Sequence, residues 1–415
     1  MAAKTVNYNK TKYACYYAYL SMASAYSLPP LLFVTFREMY GISYTLLGAL
    51  VLINFCTQLL VDLVFSFFTK YFNVQKTARS MPLITCAGLL IYALVPTFLP
   101  QYAYIGLVAG TVVFSVAAGL CEVLMSPLVA ALPSDNPERD MSMLHSLYAW
   151  GVLMVVVITT VFLTIFGRKN WMYLTVFLAL LPLAAAWLFA TSPMPPMELT
   201  HAPGGAGAKK RTLGLTLCVL CIFLGSAAEN TMSNWISGYM ENALHIPKTL
   251  GDIFGMALFA MLLGLVRTLY AKYGRHITTV LLAGMAGATV CYLVAGLSNN
   301  SIFCFIACVL TGCFTSMLWP GTLIMMEEKI TAPGVAAYAL MAAGGDMGAS
   351  VAPQMLGVIV DSVSASEWAA QMSGVLSLST EQIGMKVGML AAAVFPFLGV
   401  FLLLFIKRYF KKNKA

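Results

Sequence analysis

Long apolar runs, separated by short polar turns, fill nearly all of this chain. Twelve of them are long enough to cross a bilayer: residues 13–36, 45–68, 81–100, 104–131, 142–166, 171–191, 213–240, 251–271, 277–297, 301–326, 335–360 and 384–407. A run of about 20 apolar residues, rising 1.5 Å each, spans the hydrocarbon core. Without water to bond loose backbone groups, such a run is helical. The pattern predicts an all-α integral membrane protein with twelve transmembrane helices. One Gly/Pro/Lys-rich stretch, 192–211, divides them six and six, which predicts an N-terminal bundle over 1–191, a flexible linker and a C-terminal bundle over 212–415.

Composition sharpens this. Hydrophobic residues make up 60% and charged residues 10% of the 415, far from a soluble domain. The first apolar run is too long for a signal-peptide core, so a cleaved signal is not expected. With the N-terminus in the cytoplasm, 18 of the 24 Lys and Arg fall in cytoplasmic segments; outside lie Arg37, Arg168, Lys169, Lys248 and Lys386. The excess of inside positive charge predicts cytoplasmic termini and a multi-pass protein of the cell (plasma) membrane. The net charge of +8 is therefore assigned to lipid-facing loops and the basic tail Lys407–Lys414, not to nucleic acid. All ten cysteines lie in apolar runs, so Cys218-x-x-Cys221 reads as small buried side chains. The four histidines have no zinc spacing, and no nucleotide-binding glycine loop is present, so neither a metal nor a cofactor is expected.

The halves repeat. GLCEVLMSP (119–127) lies over GCFTSMLWP (312–320), HSLYAWG (145–151) over YALMAAG (338–344), and VFSFFTKY (64–71) over VRTLYAKY (266–273). Duplicated six-helix halves are the plan of transporters that rock around a midplane site. On these features the chain resembles the major facilitator superfamily over its whole length. The family's loop signature survives partly in RTLYAKYGRH (267–276), which keeps Arg267, Gly274 and Arg275; FFTKYFNVQK (67–76) has lost its acid and glycines. GGDMGASVAPQMLG (344–357), with Ala228-Glu229-Asn230 and Trp235, looks most like the branch of fucose and related sugar–proton symporters. The resemblance implies two pseudo-symmetric bundles around a central cavity, and a monomer.

Charge inside a span costs a few kcal/mol and normally marks function. Four carboxylates qualify: Glu229 and Asp346 near the middle of the seventh and eleventh spans, Glu122 and Asp62 nearer an end of theirs. No Lys or Arg lies near a span centre, and Arg267 is expected to snorkel from the end of the eighth. Mid-membrane carboxylates without a cation beside them would exchange protons, which makes Glu229, Asp346, Glu122 and His145 candidates for proton coupling. Asp62 and Arg267 are gating candidates. Asn54, Gln58, Tyr148, Trp150, Asn230, Asn234, Trp235, Trp319 and Gln354 are candidates for binding the solute, since amides and flat rings suit a polyhydroxylated neutral molecule. Each also has an ordinary use in packing.

The reading is secondary active transport of a small polar solute, a sugar or polyol, by alternating access coupled to protons, with sodium as the alternative ion. An exporter of amphipathic, drug-like compounds fits less well, because the fifth span (WGVLMVVVITTVF, 150–162) has no proline and one glycine. An organic-anion carrier is disfavoured by the expected lack of a mid-membrane cation. No catalytic cluster suggests an enzyme. A non-transporting sensor on the same fold is the alternative of a different class.

Overall fold

The computed structural model describes residues 7–42, 44–68, 71–196, 206–246, 251–331 and 333–412. Among them every regular element is helical. The first crossing is α1 (Asn9–Leu31) with α2 (Phe33–Tyr40), and the second is α3 (Tyr44–Phe68). Then come α4 (Val74–Phe98), α5 (Ala103–Ala130), α6 (Pro137–Phe166) and α7 (Trp171–Ala190). In the second half, α8 (Ala206–Asn242) is followed by a π-helical stretch, Gly251–Ala257, that runs into α9 (Leu258–Tyr273). After α10 (Ile277–Leu297), the tenth crossing is α11 (Ser301–Thr315) with α12 (Leu318–Lys329). The eleventh is α13 (Gly334–Ser364); α14 (Glu367–Leu376) is a short connector, and α15 (Thr380–Ala392) with α16 (Val394–Lys412) completes the twelfth. Ten helical stretches are long and apolar enough to span a membrane, and Leu52–Phe65 adds a shorter apolar helix. The chain is an all-α, multi-pass membrane protein.

Local chemistry sets the ends. Asn73, Asn136 and Asn300 accept backbone N–H bonds at the starts of α4, α6 and α11, and Pro137 occupies the first position of α6, where a missing N–H costs nothing. Pro29 and Pro30 remove two donors, and the chain turns at Leu32, whose N–H reaches the Pro29 carbonyl at 3.1 Å. Ser379 and Gln382 form a reciprocal capping box at α15.

Two expectations change. Residues 361–383 carry no element in the sequence reading, yet α13 extends to Ser364 and α14 follows, started by the Ser366 side chain on the Ala369 N–H. The polar spacing of this connector hid it from a hydropathy reading. The linker expected at 192–211 is also shorter, because α8 begins at Ala206; residues 197–205 lie outside the described residues. Its first residues are tied down: Arg79 donates to the Ser192 carbonyl at 3.3 Å, Gln75 to Pro195 at 3.1 Å, and Thr11 to Pro193.

The chain divides into two compact units, Met1–Ala202 with Pro333–Ala343, and Pro203–Ala332 with Gly344–Ala415. The first unit packs around Phe36, whose ring meets Trp171 edge-on at 4.9 Å and Tyr92 at 5.7 Å. At one end Asp140 accepts from Lys12 at 2.7 Å, Ser134 at 2.7 Å and Tyr16 at 3.2 Å. In the second unit two buried tyrosines tie α8 to α10: Tyr292 donates to the Ala228 carbonyl at 2.7 Å and Tyr239 to Ala295 at 2.5 Å. Cys218 and Cys221 are buried there, Cys221 Sγ lying 3.7 Å from Thr322 Oγ1.

Candidate functional site

In the second unit the chemistry starts from a proline. Pro320 has no N–H, so the carbonyl four residues earlier, on Ser316, loses its helical donor. The helix breaks there: α11 ends at Thr315, and the ladder resumes when the Gly321 N–H reaches the Met317 carbonyl at 2.8 Å. Arg267, from α9, fills the gap, its Nε donating to the Ser316 carbonyl at 2.7 Å. The same guanidinium turns Nη2 to both carboxylate oxygens of Glu229 on α8, at 3.0 Å each. Arg267 is 3% exposed and Glu229 16%.

This corrects two expectations. Arg267 does not snorkel to a span end; it is buried on the broken tenth crossing. Glu229 does have a cation beside it, so the sequence argument that no mid-membrane cation exists fails. Distance along the sequence misled it: Arg267 lies near the end of its own helix, but its long side chain reaches residues near the middle of two others.

The remaining second-unit candidates lie on α8, α12 and α13. Asn230 donates to the Ser226 carbonyl and hydroxyl at 3.1 Å each, and Asn234, exposed, donates to the Asn230 carbonyl at 2.8 Å. The Trp235 indole N–H donates to the Pro353 carbonyl at 3.0 Å, so it locks α8 to α13. Trp319 packs against Gly345, where a Cβ would collide with the ring, and a Cβ at Gly348 would strike the Phe223 carbonyl. Those two glycines let α13 approach its neighbours closely. Asp346 is buried, and Ser350 donates to its carbonyl at 2.6 Å; Gln354 is exposed about two turns further on.

The first unit holds its own polar group. Ser115 donates to Asn54 Oδ1 at 2.6 Å, and Gln58, fully buried, reaches back to the Asn54 carbonyl at 3.4 Å. Asp62 is buried one turn on, and Glu122 is half-buried on α5. His145 Nε2 lies 3.3 Å from the Ser126 hydroxyl, and Tyr19 meets its ring edge-on at 5.0 Å. Tyr148 packs partly buried against the first-unit core, and Trp150 is half-buried. Ser115, Ser126, Tyr19 and the Ser316 carbonyl were missed by the sequence reading. Only the last had a signal, the proline four residues on.

A sequence profile of the Major Facilitator Superfamily matches residues 15–353. A crystal structure of the transporter FucP in its outward conformation superimposes with a TM-score of 0.76 at 13% identity, covering 96% of this chain and 99% of that one. FucP is named in a second structure as the E. coli fucose:proton symporter. The proton:xylose symporter XylE, bound to 6-bromo-6-deoxy-D-glucose, gives 0.72 at 12% identity over 94% and 95%. The human organic anion transporter MFSD10 gives 0.64 at 13% identity over 96% and 100%. No curated protein matches the chain. Identities this low establish the fold alone, two six-helix halves with twelve crossings. With the profile spanning most of the sequence, the chain belongs to the Major Facilitator Superfamily of membrane transporters.

Proposed function

We propose that this transporter carries a small polar solute, a sugar or related polyol, across the cell membrane by alternating access and couples that movement to protons. Both termini are assigned to the cytoplasm on the distribution of Lys and Arg. The observation that carries the reading is the set of ionisable and amide side chains buried or half-buried inside otherwise apolar helices. Asn54, Gln58, Glu122 and His145 supply it in one unit, Glu229, Asn230 and Asp346 in the other. Lipid-facing positions do not tolerate such groups, and packing alone does not require them. The likeness in fold to two sugar–proton symporters adds support.

In this reading Asn54, Gln58, Tyr148, Trp150, Asn230, Asn234, Trp235, Trp319 and Gln354 supply solute contacts. Glu229, Asp346, Glu122 and His145 supply the proton site, and Asp62 and Arg267 are gating residues. A second reading, carriage of an organic anion, is favoured by one observation: the buried Arg267 beside Glu229. The test is solute uptake into proteoliposomes under an imposed pH difference. Uphill accumulation that collapses when the gradient is dissipated supports the proposal. Accumulation indifferent to the gradient refutes the proton coupling, and absence of flux for every sugar and polyol refutes the solute class.

A further inference from the structure

The Arg267–Glu229 pair is electrically neutral, and its two members are not equally placed. Arg267 is held by the Ser316 carbonyl and is 3% exposed, whereas Glu229 is 16% exposed and is the more accessible member. The arginine is fixed; the carboxylate in front of it is the part that can leave. A guanidinium recognises planar carboxylates through paired N–H donors, whichever molecule supplies them.

We infer that the polyol carried by this protein bears a carboxylate, as a sugar acid does, and that this carboxylate takes the place of Glu229 on Arg267. The inference rests on the polyol reading above and narrows its substrate class. Charge balance dictates the rest. The resting pair carries no net charge; an arriving anion adds one negative charge to a low-dielectric site, where an uncompensated charge is expensive. Displaced Glu229 restores neutrality by binding one proton at a carboxylate oxygen. Solute anion and proton therefore enter together, one to one, and no net charge crosses.

The groups around Glu229 are compatible with this exchange. Arg267 on α9 is the charged group that acts on it. From α10 the Tyr292 phenol is committed to the adjacent Ala228 carbonyl. At the α11–α12 break Ser316 presents a carbonyl already bonded to Arg267, and its hydroxyl donates to the Cys313 carbonyl at 2.7 Å. Asp346 is the carboxylate carried by α13, the helix that meets α8 at Gly348. On α8 itself, Asn230 is the next residue, and its amide donates to Ser226 one turn back.

The test is calorimetric titration of the purified full-length protein with D-gluconate, D-glucuronate, D-glucose and D-sorbitol, each in two buffers of different ionisation enthalpy. One of the acids is expected to bind with uptake of one proton. Its affinity should weaken about tenfold for each unit rise in pH, the linkage of a single proton. Glu229→Gln has no carboxylate to displace, so it should bind that acid more tightly and with no pH dependence. Arg267→Gln should lose the acid altogether. Acid binding without proton uptake in the unaltered protein overturns the inference and needs no variant to fold. So does a Glu229→Gln variant that keeps the pH slope. Binding of glucose or sorbitol but neither acid overturns the inference and leaves the polyol reading standing. If none of the four binds, the inference falls, and the polyol reading is decided by the uptake measurement above.

Discussion

Replacing Arg267 by Met tests the interior of the second unit most directly. Methionine keeps the length and apolar stem but strands two groups. Glu229, already largely removed from water, loses its cation, and breaking a buried pair from one side costs about 3–5 kcal/mol. The Ser316 carbonyl, which Pro320 leaves without a helical donor, loses its partner as well, a further cost of about 1–3 kcal/mol. For a unit of this size each kcal/mol shifts the melting temperature by about 2–4 °C, so the stranded charge alone predicts a fall of about 6–20 °C. Adding Glu229→Gln removes the stranded charge but not the stranded carbonyl, so the double variant should recover most of the loss and remain about 1–3 kcal/mol below the parent. The assay is already in the sequence. Cys218, Cys221, Cys291, Cys304 and Cys308 are buried in this unit, so a thiol-reactive dye in detergent reports its melting once Cys15, Cys56, Cys86 and Cys121 of the other unit are changed to Ala. If the double variant melts as low as the single one, the cost does not come from a stranded Glu229 and the account of the pair is wrong.

Other consequences follow from the same contacts. In the Arg267→Met background, Pro320→Ala returns an N–H to the Ser316 carbonyl and should regain about 1–3 kcal/mol, read as a rise in the same melt; no rise would show that the carbonyl is satisfied otherwise. Gly345→Val places side-chain atoms against Trp319 and should lower stability by about 1–3 kcal/mol with a shift in tryptophan emission, while the same change at exposed Gly374 should do neither. Trp235→Phe deletes the N–H that reaches Pro353, for a loss of about 1 kcal/mol in the melt. Asp346→Asn should abolish pH-driven accumulation in proteoliposomes if Asp346 carries the coupling proton, and unchanged accumulation would remove it from that role.

Architecture was legible in the sequence because the bilayer imposes one rule throughout: an apolar run must be a helix of spanning length. The twelve runs therefore mark the twelve crossings, although the hydropathy reading did not see α14 or the helical start of α8, whose residues are polar. The site was legible as a list of residues and much less as a set of contacts. Glu229 and Arg267 are 38 positions apart on different helices. Nothing in one-dimensional spacing says that the arginine points inward rather than to the interface. The clue that was present, Pro320, concerns a backbone oxygen, which a reading of side chains passes over. His145 has the same history: two of its contacts, Ser126 and Tyr19, come from two other helices.

The internal repeat shows why that arginine matters. In the matched segments 64–71 and 266–273, Arg267 falls over Phe65, and in the paired fourth and tenth crossings Pro320 falls over Pro127. Both halves keep the proline, and so both free a carbonyl four residues earlier. In the first half Phe65 is buried and stacks on Phe72 at 4.6 Å, and α5 runs unbroken through Pro127. In the second half Arg267 holds the freed carbonyl, and the helix divides into α11 and α12. A proline alone therefore does not break the crossing; a side chain able to bond the released oxygen stabilises the break. That bond also fixes the guanidinium against Glu229, so the same substitution that separates the two copies structurally gives one of them a buried cation. The halves share a helical plan and differ in chemistry where the two copies align: Phe65 stacks on a ring in one, and Arg267 forms an ion pair with Glu229 in the other.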